Sequence, residues 1–98
     1  MTVRLMSRWK GTAKAIVEMA SELKPILEEH GAKEFHLSSI FAGPQTGQWL
    51  VEAYYDNMAD CGQAMDSTMA SESFRSLVAG LDTVELLSRS VLVEVKLD

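Results

Sequence analysis

The spacing of hydrophobic and polar residues along the chain predicts four strands and two helices. In each strand segment apolar and polar side chains alternate, which is typical of a strand whose two faces have different surroundings. In each helical segment the apolar residues recur at intervals of three and four. The predicted strands span residues 2–10, 33–42, 48–56 and 83–97, and the predicted helices span residues 12–30 and 58–80.

Cap residues and one proline refine the two helices. Thr12 is a suitable N-cap for the first helix, and Gly31 is a suitable residue after its end. Pro25 lies inside this helix, and because proline removes a backbone hydrogen bond we expect a kink there or two abutting helical segments. In the second helical region Ser71 can cap a further turn, which Gly80 closes.

The last predicted strand changes the parity of its apolar residues. Val91 and Val93 share one parity, whereas Val84 and Leu86 have the other. One extra residue in the strand, a β-bulge, brings the two halves into agreement. We place this bulge near residues 88–90.

The order β-α-β-β-α-β predicts an α+β fold of the ferredoxin-like type, in one domain of residues 1–98. Right-handed crossovers then place both helices on one face of a four-stranded antiparallel sheet. The other face is half apolar, since it carries Met6, Ile40 and Leu50, and an exposed patch of this kind is unfavourable in a monomer. We therefore expect a homodimer in which two copies pack these faces together.

Charge and composition narrow the possible partners and compartments. The chain has nine basic and fourteen acidic residues, a net charge of -5, which disfavours a nucleic-acid partner. Cys61 is the only cysteine, so an intrachain disulfide is impossible. Residues 1–10 lack the continuous apolar segment of a signal peptide, and no stretch has transmembrane length. We expect a cytoplasmic protein with no membrane partner.

Two segments carry a resemblance to known protein families. Residues 50–59 read LVEAYYDNMA, a strand end with aromatic and then acidic residues, and residues 71–77 read SESFRSL. With the pattern of the whole chain, they resemble antibiotic-biosynthesis monooxygenases and NIPSNAP-type domains of the dimeric α/β-barrel superfamily. The resemblance implies a ferredoxin-like dimer. Haem-degrading relatives need a histidine on the second helix, and its place near Gln63 holds none, so we expect neither haem nor another cofactor.

A group of polar side chains is predicted on the sheet face that the helices leave uncovered. His36 and Tyr54 are the candidate catalytic residues, because a histidine near a carboxylate such as Glu52 can act as a general base. The candidate ligand-binding residues on this face are Arg8, Ser38, Glu52 and Arg89. Trp49 is a further candidate, which by parity shares the face of Val51 and Ala53 and which follows a loop, a position suited to the rim of a site. Arginines could hold an anion or an enolate, although Arg89 joins the group only if the bulge falls as placed. The alternative is that these residues form the salt bridges and hydrogen bonds of a dimer interface.

Two functional hypotheses follow. The first is a dimer that binds a small hydrophobic or aromatic ligand, with cofactor-independent monooxygenase-like or isomerase-like chemistry on an aromatic or polyketide-like metabolite. The second is a non-catalytic stress-associated or structural interaction dimer whose barrel interior is packed. A cavity beside His36 and Tyr54 favours the first. No metal site is expected, because the two histidines have no cysteine or aspartate between them.

Overall fold

The computed structural model describes residues 2–97, which form a four-stranded sheet and three helices. The strands are β1 (Val3–Lys10), β2 (Glu34–Ser39), β3 (Trp49–Tyr55) and β4 (Glu85–Val93), and the helices are α1 (Ala13–Glu29), α2 (Met58–Ala70) and α3 (Glu72–Ala79). The sheet order is β2-β3-β1-β4, and each neighbouring pair is antiparallel. The predicted α+β, ferredoxin-like fold is confirmed.

Side-chain caps set the helix boundaries. The Thr12 hydroxyl accepts the backbone N–H of Ala15 at 3.2 Å and starts α1, which continues through Pro25 as one helix rather than two abutting segments. Ser71 does the same for α3, because its hydroxyl accepts the N–H of Phe74 at 3.0 Å. The region predicted as one helix over residues 58–80 is therefore two helices that meet at Ser71.

Two strands end earlier than predicted. The backbone of β2 ends at Ser39, before a turn in which Gly43 and Gly47 have positive φ angles of 111° and 89°. The strand β4 ends at Val93 because its neighbour β1 begins at Val3 and offers no further partner. The last bond between the two segments is donated by the N–H of Glu94.

The hydrophobic core lies between one face of the sheet and the helices. Alternate strand residues such as Val3, Val51 and Ala53 are buried there against Ile16 and Leu23. The residues between them point to the opposite side, which we call the open face. By the strand register the open face consists of Arg4, Met6, Arg8, Glu34, His36, Ser38, Leu50, Glu52, Tyr54, Ser88, Ser90 and Leu92.

The predicted bulge is present, but it lies slightly earlier than placed. Arg8 pairs with Ser88 and Trp9 pairs with Leu86, so Leu87 is the extra residue. Beyond the bulge the register puts Arg89 opposite Ser7, and therefore on the helix-covered face. The placement of Arg89 beside the open-face residues is wrong, because a bulge at Leu87 rather than at residues 88–90 inverts its direction.

Candidate functional site

A cavity of about 300 Å³ lies between the helix-covered face of the sheet and the helices. Its lining is mostly aliphatic, aromatic and methionine side chains. The lining residues are Leu5, Ser7, Trp9, Met19, Leu23, Leu27, Val51, Ala53, Met65, Thr68, Met69, Phe74, Leu77, Val78, Leu81, Val84, Leu86 and Arg89. Four of them are exposed and mark the mouth: Met69, Val78, Leu86 and Arg89.

The arrangement of the helices leaves this space unfilled. Helices α1 and α2 pack over the three strands β1, β2 and β3, whereas the short helix α3 packs chiefly on α1 and α2. The edge strand β4 packs chiefly on β1, and Leu86 and Val91 on its helix-facing side stay 43% and 42% exposed. The cavity therefore opens where α3 and β4 would otherwise meet.

Few polar groups line the cavity, and one of them lacks a partner. Thr68 on α2 is only 5% exposed, and its Oγ1 has no hydrogen-bond partner among residues 2–97. The Ser7 hydroxyl accepts the indole N–H of Trp9 at 2.8 Å, which leaves its own proton free to donate. Buried polar groups are nearly always satisfied, so this orphan hydroxyl beside the cavity is unusual. Because Oγ1 itself is inaccessible to solvent, a ligand's polar group could bond to it only if neighbouring side chains move.

Thr68 was absent from the residues singled out in the sequence. The sequence does indicate that Thr68 is buried. It follows Ala64 by four positions and interrupts the apolar stripe of α2 that includes Met65. A polar residue on the buried stripe of an amphipathic helix needs a partner, and the sequence alone does not say whether one exists.

Among residues 2–97, Arg89 supplies the only ionisable side chain in the lining. It is exposed at the mouth, and it makes no ion pair or side-chain hydrogen bond with residues 2–97. No carboxylate lines the cavity. The electrostatic character of this site is thus positive and is set by one guanidinium.

The open face does bring His36, Tyr54 and Glu52 together. The rings of His36 and Tyr54 meet edge to face at 5.5 Å, and Glu52 lies directly across from His36 in the register. However, the Glu52 carboxylate is paired with Arg4 at 3.0 Å, and the nearest carboxylate to the His36 ring is Glu34, at 3.7 Å. The expected contact between His36 and the Glu52 carboxylate, which would support His36 as a general base, is therefore not formed.

No described cavity borders this open-face cluster. The His36 side chain is 55% exposed, and neither His36 nor Tyr54 lines the helix–sheet cavity or a smaller pocket between α1 and α3. The guanidinium of Arg8 donates a hydrogen bond to the side chain of Gln48, and Ser38 is exposed. Within a single chain, His36, Tyr54, Glu52, Arg8 and Ser38 lie on the opposite face of the sheet from the cavity, and Arg89 alone of the predicted residues lines it.

Trp49 is held on the helix-covered face and has a structural partner. Its indole N–H donates to the carbonyl of Gly11 at 3.3 Å, and the ring packs against the core without lining the cavity. A methyl group at Gly11 would come within 3.0 Å of a Val84 methyl, so the glycine allows this close approach. Trp49 therefore fixes the end of β1 against β3, on the face that its parity predicted.

The single cysteine is a buried thiol. Burial raises the pKa of Cys61, and its sulfur lies 4.0 Å from that of Met65. A raised pKa keeps the thiol protonated at neutral pH, and only the thiolate is a strong nucleophile. Burial also raises the pKa of the neighbouring Tyr55 hydroxyl, with a smaller contribution from Cys61. Neither residue has the character of an activated catalytic group.

Residues 2–97 contain no cluster of three or more histidine, cysteine or carboxylate side chains placed to hold a metal ion. None of the helices in this part of the chain is both long and apolar enough to cross a membrane.

Comparison with known proteins relates the chain to others through its structure. No protein-family model matches the sequence, and the comparison with curated proteins gives no match. Solved structures with the same fold include a NIPSNAP family protein of unknown function from Agrobacterium tumefaciens. It has a TM-score of 0.68 and 12% identity, over 93% of this chain and 86% of that one.

Two further structures have names that refer to oxygenases. A putative antibiotic biosynthesis monooxygenase from Chloroflexus aurantiacus has a TM-score of 0.65 and 12% identity, over 100% of this chain and 97% of that one. SnoaB, a cofactor-independent oxygenase from Streptomyces nogalater, has a TM-score of 0.67 and 9% identity, over 98% and 95%. At these identities the likeness concerns the fold and not the activity. The resemblance drawn from the sequence is thus confirmed in structure: the chain has the ferredoxin-like fold shared by NIPSNAP and antibiotic-biosynthesis monooxygenase-like proteins.

Proposed function

We propose that the chain binds a small apolar or aromatic molecule in the cavity between its sheet and its helices. The observation that carries the proposal is a space of about 300 Å³ with a mostly apolar wall, in which Ser7, Thr68 and Arg89 are the polar lining residues among residues 2–97. Small-molecule sites have volumes from about 300 Å³ upward and combine apolar walls with a few placed polar groups. The ligand's apolar body would make packing contacts with the side chains of this wall.

A matched pair of tryptophan variants tests this proposal. Val78, at the cavity mouth, is 48% exposed, and Val17, on α1 and away from the lining, is 49% exposed. We expect the neutral fluorescent probe N-phenyl-1-naphthylamine to bind the parent protein and Val17→Trp with equal affinity. Val78→Trp should weaken binding at least about tenfold, because the indole obstructs the mouth.

The control separates obstruction from a general effect of an added aromatic ring. Both variants should unfold at the temperature of the parent within about 3 °C, since both positions are half exposed. Equal probe binding by the two variants would contradict the cavity as the binding site. Absence of any binding to the parent would contradict the proposal as a whole.

A second candidate function is cofactor-independent oxygenation of an aromatic metabolite in the same cavity. The Arg89 guanidinium at the mouth supports it, because a fixed positive charge stabilises an enolate or phenolate. No histidine or carboxylate lines the cavity, so the substrate would have to be acidic enough to ionise without a protein base. An anthrone has this property. It would react with one O₂, one oxygen becoming the new quinone carbonyl and the other leaving as water.

Oxygen uptake with the anthrone dithranol tests the second candidate. We expect the parent and Val17→Trp to raise the rate of O₂ consumption and of quinone absorbance in equal proportion. Val78→Trp should return the rate to that of buffer. If the parent consumed O₂ no faster than buffer alone, oxygenation of dithranol-type substrates would be contradicted. Ligand binding would then stand as the proposed function. The open-face residues His36 and Tyr54 stay a separate prediction, which His36→Ala tests in the same assay.

We also propose that the open face pairs with a second copy of the chain. Met6, Leu50 and Leu92 lie on this face and no helix among residues 2–97 covers them. The charges of the face are partly neutralised within one chain, since Arg4 pairs with Glu52. A face with charges of a single sign, or with unpaired charges, would resist self-association. The open face instead combines apolar area with an ion pair inside one chain. The alternative of a non-catalytic interaction dimer shares this interface and differs in leaving the helix–sheet cavity without a ligand.

A further inference from the structure

We propose that the ligand of the helix–sheet cavity is an amphipathic monocarboxylic acid, whose carboxylate binds Arg89 at the mouth and whose apolar body fills the interior. This inference rests on the proposed ligand-binding function and adds the charge and polarity of the ligand to it.

The charge distribution of the cavity favours an anion. Arg89 is the only ionisable residue in the lining, and no carboxylate there neutralises it. Its guanidinium makes no ion pair or side-chain hydrogen bond with residues 2–97, so its planar fork of donors is available. Arginine binds carboxylates through two parallel hydrogen bonds, which fixes both position and orientation. The Arg89 guanidinium would repel a cationic group placed at the same position.

The position of Arg89 favours a ligand with a polar head and an apolar body. The residue is exposed, whereas the wall behind it is formed by buried side chains such as Leu23, Val51 and Ala53. A carboxylate is costly to bury in such a wall, and at the mouth it keeps part of its hydration. The apolar body then enters the cavity with the head outward.

Three ligands of equal shape and different charge test the inference. The probes are 2-naphthoate, 2-naphthamide and 2-naphthamidine, which are anionic, neutral and cationic, and each is titrated as a competitor of N-phenyl-1-naphthylamine. We expect the parent to bind naphthoate at least about tenfold more tightly than naphthamide, a difference of about 1.4 kcal/mol. Naphthamidine should bind more weakly than naphthamide.

Variants assign the preference to Arg89. Arg89→Gln should reduce the ratio of the naphthoate affinity to the naphthamide affinity to below about twofold, with the larger loss of affinity for naphthoate. Arg89→Lys should retain part of the preference, since it keeps the charge but loses the fork. Lys14→Gln removes one positive charge from an exposed position on α1 outside the lining and should leave the ratio as in the parent.

The outcomes distinguish this inference from the proposal on which it rests. Equal binding of naphthoate and naphthamide by the parent, both prevented by Val78→Trp, would overturn the acid preference and leave the ligand site standing. A preference that survives in Arg89→Gln would overturn the role of Arg89. Failure of all three naphthalene ligands and of the fluorescent probe to bind would overturn both proposals.

Discussion

The orphan hydroxyl of Thr68 predicts a substitution that stabilises the free protein. Thr68 is 5% exposed on α2, and its Oγ1 has no partner among residues 2–97, so folding removes this hydroxyl from water without a compensating bond. Valine has the same branched shape and a methyl group where threonine has the hydroxyl. Thr68→Val therefore removes the unpaired group and keeps the packing around it.

The size of the effect follows from the cost of an unpaired buried polar group. That cost is about 1–3 kcal/mol. Threonine and valine have nearly equal helix propensities, so the backbone of α2 contributes little to the difference. We expect Thr68→Val to raise the free energy of unfolding by about 1–2 kcal/mol. For a domain of this size each kcal/mol raises the Tm by about 4–8 °C.

Urea and thermal unfolding followed by circular dichroism measure this change. The matched control is Thr12→Val, the same chemical change at a hydroxyl that accepts the backbone N–H of Ala15. Loss of this N-cap should lower stability by about 1 kcal/mol, so the two variants should differ in sign. If Thr68→Val were less stable than the parent, Oγ1 would have a partner in the folded protein. The identification of Thr68 as an unpaired buried hydroxyl would then be refuted.

Three further predictions concern the helices, the open face and alkaline pH. Gly62→Ala should stabilise the protein by about 0.5–1 kcal/mol in urea unfolding, because Gly62 lies inside α2 and nothing lies within 4 Å of an added Cβ; a loss of stability would contradict this. Leu50→Lys should dissociate the homodimer, which light scattering should find at twice 10.8 kDa, whereas Val17→Lys on α1 should not. A monomeric parent would reject the interface. Burial raises the pKa of Cys61 above its ordinary value of 9.0. Burial, and to a smaller extent the Cys61 charge, raises the pKa of Tyr55 above its ordinary value of 10.0. The unfolded chain then loses these protons first, so the free energy of unfolding should fall as pH rises above about 9; a flat urea profile up to pH of about 10.5 would contradict this.

The sequence predicted the side of the sheet for most candidate residues, and it failed where the register depended on a single residue. Period-two alternation placed His36, Glu52 and Tyr54 on the open face correctly. For Arg89 the same reasoning depended on the position of a bulge. Because the bulge lies at Leu87, Arg89 lies on the helix-covered face and lines the cavity. Both faces of an edge strand are partly exposed, so the apolar pattern gives little information about where one extra residue lies.

The pairing inside the polar cluster was also beyond the sequence. Glu52 faces both His36 on β2 and Met6 on β1, and the choice of Arg4 as its partner depends on side-chain rotamers that the register permits but does not select. Sequence patterns identify which residues share a face. They do not identify which of several neighbouring charges will pair.

The order of elements, the caps at Thr12 and Ser71, the burial of one sheet face and the ferredoxin-like topology were determined by the sequence. These features depend on local periodicity and on the handedness of the crossovers, both of which act over short stretches of chain. The cavity, the unpaired Thr68 hydroxyl and the position of Arg89 at its mouth were decided by the tertiary structure alone. They arise because α1 and α2 cover three strands and α3 is too short to fill the space over β4, and that gap is a property of packed elements which no single segment encodes.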